Sequence, residues 1–81
     1  MRIIEDVPVS LIDYDRLPLN ASGLDTANAI ADGVEMPPIH LALKPDGRFY
    51  VCDGRHRLLG HKLNGLLKIE SRYSTRVCLR P

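Results

Sequence analysis

The sequence predicts an α+β fold, a small mixed sheet with two helices. Four short segments alternate apolar with polar side chains, as half-buried strands do; they are Arg2–Ile12, Ile39–Leu43, Phe49–Cys52 and Leu67–Tyr73. Two further segments repeat apolar residues at helical spacing, Leu24 to Gly33 and Arg55 to Leu63. The resulting order of strand, helix, hairpin, helix and strand places the chain in the α+β class.

The first strand is predicted to lie at an edge of the sheet. Val7, Val9 and Leu11 occupy alternate positions, and Pro8 among them has no N–H to give to a neighbouring strand. The segment that follows, residues 13–21, is rich in Asp, Pro and Asn and is expected to be a loop.

Both helices have start and stop signals. Ser22 stands three residues before Asp25, the spacing of a helix N-cap, and Gly33 with the prolines after it ends the first helix. Asn64 and Gly65 end the second helix. The apolar stripes expected to be buried are Leu24, Ala27, Ile30, Ala31 and Val34 in the first helix, and Leu58, Leu59, Leu63 and Leu66 in the second.

A hairpin connects the two central strands. Pro45–Gly47 has the Pro-Asp-Gly sequence of a tight turn, and it separates Ile39–Leu43 from Phe49–Cys52. After the strand Leu67–Tyr73, Val77–Leu79 is expected to add one more pairing segment.

Length and composition restrict the possibilities. The 81 residues (9.1 kDa) predict one domain, residues 1–81, with a small core. Eleven Lys and Arg against ten Asp and Glu exclude a protein that is basic all over, although acids dominate the first half and bases the second. No apolar run is long enough for a membrane span, so no membrane partner and a cytoplasmic location are expected.

The residues that carry most chemistry are Asp53–Arg57, with the sequence Asp-Gly-Arg-His-Arg, at the predicted junction of a strand and a helix. The first turn of a helix presents unpaired N–H groups and the positive end of the helix dipole, which attract anions. Gly54 lets a ligand approach the backbone, while Arg55, His56 and Arg57 add cationic donors. A solvated basic helix start without a ligand is the alternative interpretation.

The chain resembles the ParB/sulfiredoxin superfamily over nearly its whole length. The matching segments, in order, are Val7–Ile12, the first helix, Met36–Ile39, Phe49–Val51 and Asp53–Leu58. Pro-Pro-Ile followed by an aromatic strand and Gly-x-His-Arg looks like sulfiredoxin, Asp-Gly-x-His-Arg looks like the free serine kinase branch, and Gly-x-x-Arg is similar to the nucleotide-binding box of ParB proteins. The resemblance implies that Gly54, Arg55, His56 and Arg57 bind the phosphates of ATP or CTP.

The sequence departs from two of these branches. Sulfiredoxin needs a cysteine at the position of Arg55, and Cys52, three residues earlier, is expected to pack inward, so sulfinic acid reduction is not expected. ParB proteins that load onto DNA carry a helix-turn-helix domain after this one, whereas this sequence ends at Pro81. The short length therefore favours a stand-alone accessory protein of bacterial, plasmid or phage origin.

The serine kinase branch implies catalytic carboxylates. Asp53 matches one of them and is the candidate ligand for Mg²⁺, while Asp13 or Asp15 is the candidate base. A solvated loop is the simpler interpretation of Asp13 and Asp15, and a helix cap that of Asp53.

The sequence thus predicts nucleoside triphosphate binding, extended by ATPase or phosphotransferase activity. Two alternatives stay open: a non-enzymatic accessory module that binds nucleic acid or a protein partner, and a metal-dependent ParB-like nuclease in which Asp13, Asp15 and Asp53 hold the metal. A transition-metal site is not expected, since His56 and His61 are expected on different faces of one helix, His40 on a strand, and no Cys or third close ligand completes a set.

Overall fold

The structure is a computed structural model that describes residues 2–76. Its elements in chain order are β1 (Arg2–Pro8), a 3-10 turn (Val9–Leu11), β2 (Ile12–Asp13), α1 (Ala21–Ala31), β3 (Ile39–Leu43), β4 (Phe49–Asp53), α2 (Arg55–Leu63) and β5 (Lys68–Ser74). The predicted α+β fold is confirmed, since five strands form one mixed sheet beside two helices. The pairing segment expected at Val77–Leu79 lies outside the described residues.

The strands lie in the order β1-β5-β3-β4-β2, so β1 occupies an edge, as predicted. Two strand pairs are antiparallel, β1 with β5 and β3 with β4. The other two pairs, β3 with β5 and β2 with β4, are parallel. The three residues of the 3-10 turn carry the chain from one edge to the other. Five flat strands would put the edges ~19 Å apart, yet the four Cα steps from Pro8 to Ile12 span at most ~15 Å. The sheet is therefore strongly curved.

The core lies on one face of this sheet. Its buried residues are Val7, Ile12, Ile39, Leu41, Phe49, Val51 and Ile69 from the sheet and Leu58 from α2. α1 packs mainly on α2. The alternate strand residues point to the opposite side, here called the outer face; it includes Arg2, Asp6, His40, Cys52, Glu70 and Arg72.

The predicted cap and stripe of the first helix are partly wrong. Asn20, not Ser22, caps α1, since its Oδ1 accepts a 3.0 Å hydrogen bond from the Gly23 N–H. Ala27 is buried, but Leu24 is 49% exposed, and Val34, which is 53% exposed, lies beyond the end of α1. The reason is the close approach of the helices: a Cβ on Gly23 would meet Leu59 Cδ2 at 2.8 Å. In this contact Gly23 of α1 faces Leu59 of α2, and Gly60 of α2 faces Ile30 of α1, while Leu24 lies outside it.

The second helix has the predicted bounds, and Asn64 and Gly65 end it, the glycine with φ of 69°. Leu58 and Leu59 are buried, but the prediction was wrong for Leu63 and Leu66, which are 53% and 44% exposed. The buried stripe stops where the chain turns away towards β5. Within residues 2–76, neither helix is both long and apolar enough to cross a membrane.

Candidate functional site

The candidate site begins where β4 ends and α2 starts. Gly54 connects them with φ of 109° and ψ of 27°, a left-handed conformation that side chains rarely adopt. A Cβ here would also lie 2.5 Å from Ile39 Cγ2, so only glycine fits. Gly54 offers no side-chain cap, and the first helical hydrogen bond runs from the Leu58 N–H to Gly54 O at 2.9 Å. The N–H groups of the helix before Leu58 therefore lack a helical partner.

The side chains of the first turn of α2 are basic. The first turn of α2 contains no acid, and its residues are Arg55, His56 and Arg57. Cations at this end oppose the helix dipole, whereas a bound anion would be attracted by both the dipole and the cations. The local structure therefore suits an anionic ligand.

The loop after β2 lies against this helix start and forms a groove. The cavity has a volume of about 620 Å³ and is lined by Asp15, Arg16, Leu17, Pro18, Leu19, Asn20, Arg55 and His56. Asp15, predicted as a candidate base, and Arg55 and His56, predicted as phosphate ligands, are thus brought together. Arg16 adds a further exposed cation that the sequence analysis did not identify. This groove has three basic side chains and one carboxylate.

Tyr50 ties the loop to the helix start. Its hydroxyl donates to Asp15 Oδ2 at 2.8 Å and accepts from Arg55 Nη2 at 3.4 Å. No motif in the sequence marks Tyr50, although its alternation with the buried Phe49 and Val51 shows that it points away from the core. The bridge holds Arg55 beside the groove.

Arg57 is placed differently from Arg55. Its Nη1 donates to Pro37 O at 2.8 Å and to Pro38 O at 3.0 Å, and its Nη2 lies 3.5 Å from Asp53 Oδ2. The side chain is only 17% exposed. Its guanidinium therefore anchors the segment that leads into β3, and it does not line the groove.

The two remaining carboxylates lie apart from the groove lining. Asp53 is 74% exposed and faces Arg57. Asp13 forms ion pairs with Lys44 Nζ at 2.6 Å and Arg48 Nη2 at 2.8 Å, which fasten the hairpin to β2. Hydrogen bonds from Arg48 and, to a smaller extent, from Lys44 hold the pKa of Asp13 well below its usual range. Such a carboxylate is a weak base, so of the two predicted bases Asp15 is better placed.

Cysteine and metal-ligating residues are dispersed. Cys52 is exposed on the outer face, so the expectation that it packs inward was wrong; Val51, its neighbour in β4, fills the core instead. Between residues 2 and 76, no three His, Cys, Asp or Glu side chains come together as a metal site.

Comparison with solved structures identifies the fold. No protein-family model matches the chain, and no curated protein matches it. The structure is similar to sulfiredoxin from Arabidopsis thaliana, with a TM-score of 0.72 and 23% identity over 95% of this chain and 88% of that one.

It is also similar to two structures of C-terminally truncated ParB, the chromosome-partitioning protein from Caulobacter crescentus. The ParB complex with CTP-γ-S has a TM-score of 0.70 and 20% identity over 93% of this chain. The complex with the centromeric parS site has a TM-score of 0.66 and 19% identity over 94% of this chain. This chain spans only 44% and 40% of those ParB chains. The architecture and these likenesses together show that the chain has a ParB/sulfiredoxin-like fold.

Proposed function

We propose that this protein binds a nucleoside triphosphate, ATP or CTP, with its phosphates at the start of α2. The observation that carries the proposal is the groove in which Arg16, Arg55 and His56 surround a helix start that has no acid and no side-chain cap. Guanidinium groups bind phosphate oxygens through two parallel N–H donors, and the helix N–H groups add further donors. A triphosphate matches this arrangement of charge.

The groove also has room for the rest of a nucleotide. Its volume of about 620 Å³ falls in the range of small-molecule sites, ~300–1,000 Å³. Leu17, Pro18 and Leu19 provide an apolar stretch of its wall. Such a wall suits the faces of a sugar and base, while the phosphates lie at Gly54, Arg55 and His56. The ParB neighbour bound to CTP-γ-S supports a nucleotide as the ligand class.

Mg²⁺ fits this proposal as a companion of the nucleotide. Magnesium is commonly held by one or two carboxylates together with substrate phosphates, so it needs no three-residue protein cluster. Asp15 lines the groove, and Asp53 directly precedes Gly54. We assign Asp53 as the metal-binding candidate for a bound nucleotide–Mg²⁺ complex.

Phosphoryl transfer or hydrolysis is the further activity proposed for the same groove. It requires a carboxylate that orients the nucleophile. Asp15 is the candidate, because Asp13 is engaged by Lys44 and Arg48. The hydrogen bond from Tyr50 fixes the Asp15 carboxylate at the wall of the groove.

The binding experiment measures melting temperature and calorimetric affinity with ATP, CTP and GTP, with and without Mg²⁺. A nucleotide at ~100 times its Kd stabilises the folded state by about 2.7 kcal/mol. Arg55→Ala and His56→Ala should each clearly reduce this effect, Arg55→Ala by about half, whereas Lys68→Ala, an exposed cation outside the groove, should leave it intact. No stabilisation by millimolar nucleotide would contradict the proposal.

The activity experiment measures phosphate release from ATP and CTP with Mg²⁺, with and without serine or DNA. Asp15→Asn should lower turnover much more than nucleotide affinity, and Asp53→Asn should raise the Mg²⁺ requirement. Binding without turnover would identify a nucleotide-binding module. DNA binding or metal-dependent DNA cleavage without nucleotide binding would instead favour the nucleic-acid module or the nuclease.

A further inference from the structure

We propose a second anion site, on the outer face of the sheet, that binds one phosphate group. A cavity of about 200 Å³ lies there, and its polar lining residues are Arg2, His40, Cys52, Arg72 and Ser74. It shares no lining residue with the groove at the start of α2.

Strand register brings the basic side chains to one place. Arg72 on β5 pairs with His40 on β3, and Arg2 on β1 pairs with Ser74, two residues beyond Arg72. Side chains directly opposite in a sheet point to the same face, and diagonal neighbours lie ~7–8 Å apart. Two guanidinium groups and an imidazole therefore surround a shallow cavity. Asp53 on β4 is the register partner of His40, but it is paired with Arg57 and does not line the cavity.

Among residues 2–76, no carboxylate lies within ion-pair distance of Arg2, His40 or Arg72. Within residues 2–76, the ion pairs are formed by Asp13, Asp46 and Asp53 with Lys44, Arg48 and Arg57, and none includes Arg2, His40 or Arg72. Like charges placed side by side in a sheet repel one another. A bound anion would convert this repulsion into attraction.

The chemistry of the cavity selects a single phosphate group. Guanidinium groups bind phosphate through forked donors, and the imidazole adds an N–H. Ser74 Oγ accepts from the Arg76 N–H at 3.1 Å, which leaves its O–H to be donated to a ligand. The volume is below that of sites for whole nucleotides. The matching ligand is inorganic phosphate or a phosphomonoester.

Acidic residues on the same two strands disfavour a longer polyanion. Asp6 on β1 pairs with Glu70 on β5, and Glu70 lies two residues before Arg72 on the same face. A nucleic-acid strand leaving the cavity in that direction would meet these two carboxylates. A lone phosphate group avoids them.

Cys52 lines the cavity and serves as the reporter. In a Cys78→Ser background, alkylation of Cys52 by iodoacetamide is followed with inorganic phosphate and with chloride at equal ionic strength. Phosphate should slow alkylation several-fold in a saturable way, and should shift the amide NMR signals of His40 and Arg72. Arg72→Ala and Arg2→Ala should lose this protection, whereas Arg55→Ala should keep it.

Three results would overturn the proposal: equal alkylation rates and unchanged NMR signals in phosphate and chloride, protection that survives Arg72→Ala, or protection that disappears in Arg55→Ala. Stronger protection by an oligothymidylate than by phosphate, at equal phosphate concentration, would also overturn the assignment of a single phosphate group. Because Arg55 belongs to the groove, failure of nucleotide binding there leaves this test unaffected.

Discussion

The Tyr50 hydroxyl donates a 2.8 Å hydrogen bond to Asp15, and this contact joins the loop after β2 to the sheet beneath it. The same hydroxyl accepts from Arg55 at 3.4 Å. A neutral side chain therefore stands between an acid and a base that both line the groove. It fixes where the two charges lie relative to a ligand.

Tyr50→Phe should weaken nucleotide binding while the fold stays intact. The substitution removes the hydroxyl and little else, and one hydrogen bond contributes ~1 kcal/mol. That energy corresponds to roughly a fivefold rise in Kd. Calorimetry measures the Kd, and the melting temperature of the free protein is the control. An unchanged Kd would show that the bridge does not position Arg55 for the ligand.

Arg55 and Arg57 should respond differently to substitution. Arg57→Ala removes charge-assisted hydrogen bonds to two carbonyls, so it should destabilise the fold by ~2 kcal/mol, or about 10 °C in melting temperature. Arg55→Ala should barely change stability but raise the nucleotide Kd about tenfold. Thermal melts with and without nucleotide separate the two effects, and a stable Arg57→Ala variant with lost binding would reverse these roles.

Gly54→Ala should destabilise the protein by more than about 2 kcal/mol, because φ of 109° is strained for alanine and the new methyl would overlap Ile39. Gly47→Ala is the matched control, since Gly47 has φ of 84° but nothing within 4 Å of an added Cβ. Urea denaturation gives the loss in the free energy of unfolding for each variant, and the difference between the two losses is the cost of the overlap with Ile39. Equal losses in the two variants would show that Ile39 yields without cost.

Stability should depend on pH through Asp13. Its lowered pKa means that the ion pairs with Lys44 and Arg48 stabilise the fold above the ordinary Asp range, and that this contribution is lost as the pH falls towards the lowered value. Asp13→Asn should therefore melt at a lower temperature than the parent at pH 7, and the gap should close in strong acid. A gap that stays constant from neutral to acid pH would contradict this account.

Local sequence signals predicted most of the elements. The turn at Pro45–Gly47, the break at Gly54 and the stop at Asn64 each depend on a residue's own backbone preferences, and all three are observed. The buried stripe of α1 could not be predicted in this way. It depends on Gly23 and Gly60, which let the two helices approach so closely that larger residues are displaced to the surface.

The candidate site could be predicted only in part from the sequence, and the reason is helix geometry. Successive helix residues are ~100° apart, so Arg55 and Arg57 point ~200° apart and cannot both face one groove. The sequence places both at a helix start but does not identify which one faces the loop. That depends on Pro37 and Pro38, whose carbonyl oxygens accept hydrogen bonds from Arg57 although they lie 20 and 19 residues before it in the sequence.

The pairing of β1 with β5 has a consequence for how the chain folds. The partners run from Arg2 with Ser74 to Pro8 with Lys68, so the first strand has no neighbour in the sheet until the last one has been synthesised. Closing so long a loop costs entropy that only the completed pairing repays, which slows folding relative to helical proteins. The sheet, and with it the groove, is therefore expected to form only after the chain as far as Ser74 has left the ribosome.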